Sequence, residues 1–172
     1  MMTYQPLSAG EAQQVLSELV DVLQACVADG ASVGFIDPDD TAAMTLFWQR
    51  QLAALEKGQS ELLVARQHGR VVATVMLNDS PMPNGRHRAE VSKLLVHPLA
   101  RRQGIARRLM LQAEQRARQQ GKHLLVLDTR TGDVASDLYR ALLWQVAGEI
   151  PAYAQSIEGK LDATTLMYKV LA

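Results

Sequence analysis

The chain has 172 residues, a length that suits one domain with a substantial hydrophobic core. Its 18 basic and 18 acidic side chains give a formal net charge of zero, which argues against general binding to nucleic acid or to membranes. A single cysteine excludes an internal disulfide framework, and no apolar run approaches the roughly 18 residues of a membrane span.

Hydrophobic periodicity and turn residues predict seven strands and four helices. Ser8 and Glu11 have the spacing of a helix capping box. Asp37-Pro38 is typical of an N-cap followed by a proline, and His68-Gly69 predicts a tight hairpin turn. In chain order, the predicted elements are strand 4–7, helix 8–29, helix 37–58, strands 61–67, 70–78 and 88–96, a helix from the 101–106 turn to 120, strand 122–128, helix 133–143, and strands 145–152 and 164–171.

This order predicts a mixed α/β (α+β) fold, with a central sheet of about seven strands flanked by about four helices. We expect residues 1–172 to form a single domain, because no linker or repeat interrupts the pattern. Residues 1–9 lack the pattern of a signal peptide, so the expected location is the cytoplasm. Cys26 lies on the apolar stripe of the first helix and is expected to be a small buried residue. The four histidines lack metal-ligand spacing, so no metal is expected.

The run from Arg101 to Ala106 lies between an apolar strand, which ends in Val96-His97-Pro98, and an amphipathic helix. The first N–H groups of a helix have no intrahelical partner, and the helix dipole adds partial positive charge there. Gly104 has no side chain, so the backbone can approach a ligand closely. These features predict a phosphate site. The P-loop and the three-glycine dinucleotide fingerprint are both absent.

Residues 86–108 form a local basic patch with seven Lys or Arg residues and one acidic residue, Glu90. Such a patch in a neutral chain suggests a small polyanionic ligand. Nucleic acid is the alternative ligand, but the aromatic content of 5% and the zero net charge weigh against it.

The pattern R-x-x-G-x-A over residues 101–106, after Val96-His97-Pro98, resembles the pyrophosphate-binding turn of the Gcn5-related N-acetyltransferases (GNAT). The element order resembles that family over nearly the whole chain. The resemblance implies acetyl-CoA as co-substrate without a metal, and a splay of the strand at residues 90–97 that admits the pantetheine arm. The cofactor-binding residues that it implies are Leu94, Leu95, Val96, Arg101, Arg102, Gln103, Gly104, Ile105, Ala106 and Arg107.

Two carboxylates are candidates for catalysis. Acyl transfer to an amine requires a neutral nucleophile, and Glu90 in a partly dry cleft could accept the amine proton or hold the substrate ammonium. An exposed strand glutamate that pairs with a neighbouring arginine is the alternative. Asp128 follows a short apolar run, where it either faces the site as a second carboxylate or caps the next loop.

Residues 135–142 resemble the A-x-x-L-Y-x-x-x-G-F helix of the family, which implies that Tyr139 points at the sulfur of the coenzyme. Its hydroxyl would protonate the leaving thiolate as a general acid or donate a hydrogen bond to it. A packing tyrosine is the alternative. Leu143-Trp144 stands where the family usually has Gly-Phe, which predicts a different turn after this helix.

The segment at residues 30–36 borders the acceptor pocket in this fold, and the resemblance implies Gly34, Phe35 and Tyr153 as substrate-binding residues, with packing as the alternative. Several segments closely resemble the tabtoxin-resistance acetyltransferases, which acetylate the amino group of a small dipeptide toxin or its amino-acid core. These segments are 30–35, 83–85, 88–91, 127–129 and 148–153.

The expected function is direct acetyl transfer from acetyl-CoA to a primary amine of a small molecule, such as an amino acid, a dipeptide toxin or an antibiotic-like acceptor. The alternatives are acetylation of a protein N-terminus or lysine, and an acyl-CoA-binding sensor without catalysis. The expected assembly is a monomer or a homodimer that binds neither nucleic acid nor a membrane.

Overall fold

The computed structural model describes residues 1–171. Within them the predicted order of elements is confirmed, except that five α-helices replace the predicted four. The elements are β1 (Met2–Leu7), α1 (Ala9–Gln14), α2 (Leu16–Ala28), α3 (Thr41–Glu56), β2 (Ser60–Gln67), β3 (Arg70–Asp79), β4 (Arg88–Val96), α4 (Ile105–Gln119), β5 (Leu124–Arg130), α5 (Val134–Ala141), β6 (Gln145–Gln155) and β7 (Leu161–Val170). Two short 3-10 turns, Pro83–Gly85 and Pro98–Ala100, flank β4.

The strands form one mixed sheet in the order β1-β2-β3-β4-β5-β7-β6. Among the strand pairs of residues 1–171, only β4 and β5 run in parallel. Side chains alternate between the two faces of a strand, so Leu62 and Leu63 on β2 enter different hydrophobic clusters. One cluster lies beneath α4 and α5, and the other lies beneath α1, α2 and α3.

The extra helix arises at Val15, which has non-helical backbone angles (φ −111°, ψ 20°) and separates α1 from α2. Val15 is buried and β-branched, so its helix preference is weak and core packing sets its backbone. The capping box before it is confirmed. The Glu11 N–H donates to Ser8 Oγ at 3.1 Å, and the Ser8 N–H donates to Glu11 Oε1 at 3.0 Å.

The predicted start of the next helix at Asp37-Pro38 is wrong. Helix α3 begins at Thr41, where Asp40 Oδ1 accepts a hydrogen bond from the Ala43 N–H at 3.1 Å. Asp37 instead accepts from the Asp39 N–H at 2.9 Å, which makes a local Asx turn. Both aspartates cap a backbone turn, and the sequence pattern alone did not show which turn continues into a helix.

The hairpin turn between β2 and β3 is confirmed, because His68 (φ 52°) and Gly69 (φ 79°) both take the left-handed conformation of a two-residue turn. Strand β5 lies two residues later than predicted. It continues past Asp128 because its ladder with β7 extends to the pair Arg130 and Thr164. Asp128 therefore lies within the strand and not at its end.

The predicted splay between β4 and β5 is confirmed. The two strands pair only over Arg88–Glu90 and Leu124–Val126, and they diverge beyond that point. On its other side β4 contains a bulge, where Lys93 and Leu94 together oppose Val75 of β3. The bulge gives Lys93 a left-handed backbone (φ 51°), and Thr74 Oγ1 donates to the Lys93 carbonyl at 2.8 Å.

Candidate functional site

The gap between β4 and β5 opens into a cleft of about 360 Å³. Its walls come from β4, β5, α5, the loop after α2 and the loop end of β6 and β7. The residues proposed from the sequence that line it are Gly34, Glu90, Leu94, Leu95, Val96, Arg101, Asp128, Tyr139 and Tyr153. A larger, open depression between α2 and β3, of about 600 Å³, contains none of them. The smaller cleft is therefore the candidate active site.

Glu90 and Asp128 lie on one face of the sheet. Glu90 is level with Val126 in the parallel register, and Asp128 is two residues further along β5. Glu90 is exposed to the cleft, whose walls still remove part of its hydration. This partial burial and then the Asp128 charge raise the pKa of the Glu90 carboxyl, while the Lys93 charge lowers it. Asp128 is held in place by Thr164, whose Oγ1 donates to Asp128 Oδ2 at 2.8 Å.

Tyr139 reaches the cleft from α5 and is 6% exposed. Its ring centroid lies 6.0 Å from that of Trp144, which fixes the ring orientation by packing. Burial first, and then the charges of Asp128 and Asp133, raise the pKa of the Tyr139 hydroxyl above its ordinary value of 10.0. The hydroxyl therefore keeps its proton in the physiological range and can donate it in a hydrogen bond.

The turn after α5 closes with a conformation that glycine favours, although a leucine stands there. Leu143 takes a left-handed backbone (φ 70°). The Trp144 N–H donates to the Tyr139 carbonyl, and the Leu143 N–H donates to the Arg140 carbonyl, both at 2.9 Å. A leucine pays a steric cost in this conformation, and the turn is kept because Trp144 is buried against Tyr139.

The turn before α4 presents backbone N–H groups to solvent. Gly104 is the N-cap with a left-handed backbone (φ 73°), and Arg102 is also left-handed (φ 63°). The Arg108 N–H is the first to make the hydrogen bond of the helix, and it donates to the Gly104 carbonyl at 3.1 Å. The N–H groups of residues 105–107 therefore have no intrahelical partner, as expected at an anion-binding helix start. No atom lies within 4 Å of a Cβ built on Gly104, so the space above it is open.

The side chains of this segment differ in what they can contact. Arg102 and Arg107 are exposed and form no ion pair within residues 1–171. Arg101 instead pairs with Asp29 at 2.5 Å, and its Nε donates to the Val96 carbonyl at 3.3 Å.

Four further residues of the expected coenzyme site have side chains that are buried, partly buried or held by neighbours. Ile105 and Leu95 are each 2% exposed, so only their backbone groups are available to a ligand. Gln103 is exposed, but its Nε2 donates to the Ala100 carbonyl at 3.1 Å, which braces the turn from inside. Ala106 is partly buried in the first turn of α4.

On the acceptor side, Gly34 and Tyr153 line the cleft, and Tyr153 is 53% exposed. Phe35 is not among the cleft-lining residues. Its ring packs edge-on against Phe47 of α3, with 5.8 Å between the centroids. The packing alternative therefore describes Phe35, while Tyr153 remains available to a ligand.

Cys26 and Lys93 are among the cleft residues that were not singled out from the sequence as parts of the site. Cys26 is 2% exposed, as expected for a core residue, but its Sγ also donates to the Val96 carbonyl at 3.4 Å. Burial raises the pKa of this thiol, so it is not a nucleophile at neutral pH. Lys93 lines the same cleft. The sequence signal for Lys93 was a single lysine within the apolar strand 91–96, because a lysine is rarely buried without a partner.

Among residues 1–171 there is no group of three or more His, Cys, Asp or Glu side chains arranged to hold a metal ion. In the same part of the chain, none of the helices has the length and apolar character needed to span a bilayer.

A mixed sheet that splays at a bulge, with an N–H-rich turn at one end of the gap and two carboxylates beside a tyrosine at the other, defines an acyl-transferase class of fold. Residues 22–142 match the acetyltransferase (GNAT) family. An uncharacterised N-acetyltransferase from the hisH–hisA intergenic region of Azospirillum brasilense is 31% identical over 117 residues, which cover 67% of this chain and 68% of that relative. The chain belongs to the GNAT acetyltransferase family.

Two solved structures show the same fold. One is a phosphinothricin acetyltransferase from Sinorhizobium meliloti in complex with acetyl-CoA, with a TM-score of 0.82, 20% identity, and coverage of 99% of this chain and 89% of that one. The other is a ribosomal-protein-alanine N-acetyltransferase from Brucella melitensis, with a TM-score of 0.80, 22% identity, and coverage of 98% and 99%. Their acceptors differ, so the fold leaves the acceptor of this chain open.

Proposed function

We propose that this protein transfers the acetyl group of acetyl-CoA to a primary amine of a small molecule. The observation that carries the proposal is the arrangement of one continuous cleft. Glu90, Asp128 and Tyr139 line it where β4 and β5 separate, and the Val96 carbonyl lies further along the same gap. The first N–H groups of α4, which have no intrahelical partner, follow directly in the chain.

The coenzyme would lie along this gap. Its pyrophosphate would lie against the N–H groups of residues 104–107, with Arg102 and Arg107 free to reach the phosphates. Its pantetheine arm would run along the backbone of residues 94–96, which the splay leaves without a partner strand on that side. Arg101 would position Val96 and not touch phosphate, because Asp29 already holds its guanidinium. When bound, the coenzyme supplies an acetyl thioester.

The residues at the closed end of the gap suit a direct transfer. A carboxylate with a raised pKa accepts a proton more readily than an exposed one, so Glu90 would take the proton of the acceptor ammonium, directly or through water. Asp128 would hold the same ammonium. Tyr139 would donate its hydroxyl proton, or a hydrogen bond, to the departing sulfur. Cys26 has no part in a covalent step, since its buried thiol stays protonated.

Two observations support a small acceptor. The cleft volume of about 360 Å³ lies within the range of small-molecule pockets. The segments that resemble the tabtoxin-resistance acetyltransferases include Gly34, Glu90, Asp128 and Tyr153, all of which line the cleft. A toxin-resistance role for an amino acid or dipeptide acceptor is consistent with these features.

A protein N-terminus is the second candidate acceptor, favoured by the likeness to the Brucella ribosomal-protein-alanine enzyme.

We further propose that the chain forms a single domain, since one sheet includes both its first and its last strand. A cytoplasmic place of action is our further expectation, supported by a lone cysteine without a disulfide partner.

The test is a measurement of free-CoA release from acetyl-CoA against amino acids, dipeptides, aminoglycosides, polyamines and peptides. We expect turnover with at least one small primary amine, and loss of that turnover in Glu90→Gln. Turnover with peptides alone would favour the protein acceptor. Binding of acetyl-CoA without turnover of any amine would contradict the proposal and favour a sensor.

A further inference from the structure

Lys93 has an unusual position in the cleft wall. Regular alternation along β4 would turn its side chain towards the α4 side of the sheet, together with Val91. The bulge changes this direction, and Lys93 Nζ lies 5.0 Å from the ring centroid of Phe47 on α3. The hydrogen bond from Thr74 Oγ1 to the Lys93 carbonyl holds the bulge. The bulge thus turns the Lys93 side chain to the α3 side of the sheet, where Lys93 lines the cleft.

This ammonium has no anionic partner in the described chain. Lys93 forms neither an ion pair with a carboxylate nor a side-chain hydrogen bond within residues 1–171. By contrast, Lys122 and Lys169, which are also shielded from solvent, both pair with a carboxylate and donate to a backbone carbonyl. The Phe47 ring stabilises the Lys93 charge only in part, through a cation–π contact.

Burial and neighbouring charges have opposite effects on the Lys93 ammonium. Burial lowers the pKa of the Lys93 ammonium, and the charges of Glu90 and Asp128 oppose that effect. Its solvation is therefore incomplete, and an anion that enters the cleft would supply the missing interaction. Phe35 packs edge-on against Phe47 and supports the ring that contacts the lysine.

We propose that Lys93 binds the carboxylate of the acceptor, an inference that rests on the proposed function. The acceptor is then an amino acid or a related molecule with both an amine and an acidic group. Glu90 and Asp128 hold the amine, and Lys93 holds the acid on the α3 side of the same cleft. The site thereby presents both signs of charge to one small zwitterion. A polyamine or an aminoglycoside offers only cations and would meet Lys93 with like charge.

A purely electrostatic role is the main alternative. Lys93 lowers the pKa of Glu90, so its removal would change the base whatever the acceptor. The two roles differ in their dependence on the acceptor. A carboxylate contact is lost only for acceptors that carry a carboxylate, whereas an effect on Glu90 acts on every amine.

The experiment is a comparison of L-alanine, L-leucine and L-phenylalanine with their carboxamides, in the wild type and in Lys93→Met. Methionine keeps the length of the side chain and removes the charge. The amine of a carboxamide has a lower pKa than that of the free acid, but this difference affects both proteins and cancels in the ratio of ratios. Lys93→Arg tests whether charge alone suffices, and Lys57→Met is the matched control for an exposed lysine outside the cleft.

We expect the wild type to prefer the free acids, and Lys93→Met to lower that preference about 10- to 100-fold, the size of one charge-assisted hydrogen bond. The loss should lie in the acceptor KM, with little change in kcat or in the KM of acetyl-CoA. Lys93→Arg should recover part of it, and Lys57→Met should behave as the wild type. Equal losses for acids and carboxamides in Lys93→Met would overturn the inference.

A failure of the proposed function gives a different result. If the wild type turns over no amine, acetyl transfer to small amines is wrong. The inference is then decided by calorimetric titration of the same acids and carboxamides into protein saturated with CoA. Binding of an acid that Lys93→Met abolishes would support it, and the absence of any such binding would contradict it.

Discussion

At the scale of single residues, burial decides what each group in the cleft can do. The Tyr139 hydroxyl is removed from water and faces two carboxylates, so it is a poorer acid in the resting protein than a free tyrosine. It becomes a useful donor only when negative charge develops beside it, as on a departing thiolate. Glu90 is the opposite case, because its raised pKa makes it a better proton acceptor.

Tyr139→Phe removes the hydroxyl and keeps the ring that packs on Trp144. We expect kcat to fall about 10²- to 10⁴-fold if the hydroxyl acts as a general acid, with little change in the affinity for acetyl-CoA. Steady-state assays of free-thiol release measure both quantities. A loss below about tenfold would show that the hydroxyl only positions the sulfur. Because the pKa of Tyr139 is raised above 10.0, its ionisation should produce no fall in wild-type kcat below that pH.

The strand pattern singled out Glu90 and Asp128 as candidates, and the resemblance of residues 135–142 to the family's helix singled out Tyr139; the structure places all three along one cleft. The sequence did not identify Lys93 as a cleft residue, because alternation along β4 places it on the other face and only the bulge redirects it. Arg101 and Phe35 were expected to contact ligands, but Asp29, which follows α2, pairs with Arg101, and the Phe47 ring on α3 packs against Phe35. Contacts between distant segments are not visible in a local pattern.

At the scale of elements, the end of α5 contains a leucine where the backbone is left-handed. Leu143 is 77% exposed, so its side chain contributes little packing. We expect Leu143→Gly to stabilise the protein by about 1 kcal/mol, because it removes the steric cost of a left-handed leucine. Thermal unfolding should show a rise in Tm of about 2–4 °C. A lower Tm in Leu143→Gly would contradict the claim that the backbone at Leu143 is strained.

The turn before α4 can be tested for two separate properties of Gly104. The open space above it suits a close phosphate, and its positive φ favours glycine on steric grounds. Asparagine tolerates the left-handed conformation but adds a side chain, so Gly104→Asn should weaken acetyl-CoA binding at least tenfold if the phosphate lies against this backbone. Calorimetry measures the affinity.

Gly121→Asn is the control for Gly104→Asn, since Gly121 has a similar φ of 76° at the opposite end of α4. It should bind acetyl-CoA as the wild type does. Normal affinity in Gly104→Asn would show that only the backbone conformation matters at this turn, and would remove the close phosphate contact from the account.

The elements themselves were largely predictable, because each strand and helix carries a periodic apolar pattern with clear turn residues between them. The errors lie where two local signals compete. Asp37 and Asp40 both cap turns, and Val15 interrupts a continuous helical pattern because its core packing outweighs the pattern. The extent of β5 depended on its ladder with β7, which no local pattern specifies.

At the scale of the whole molecule, a neutral chain concentrates positive charge beside the splay. Arg102 and Arg107 are exposed, so their attraction for the coenzyme phosphates is screened by salt. We expect the affinity for CoA to fall as ionic strength rises, and dephospho-CoA to bind more weakly than CoA. Titration calorimetry at several salt concentrations measures both effects. Equal affinity for the two compounds would exclude a contact to the ribose phosphate.

The central claim is that Glu90 in this cleft accepts the proton of the acceptor amine. The most direct test is the pH profile of kcat/KM for the wild type and Glu90→Gln, from about pH 6 to about pH 10. The variant should lose most activity near neutral pH and recover in part at high pH, where the amine loses its proton unaided. Asp128→Asn should lower the apparent pKa of the base, because the Asp128 charge raises it. A Glu90→Gln profile with a raised acceptor KM and an unchanged kcat at every pH would contradict the claim and leave Glu90 as a binding carboxylate.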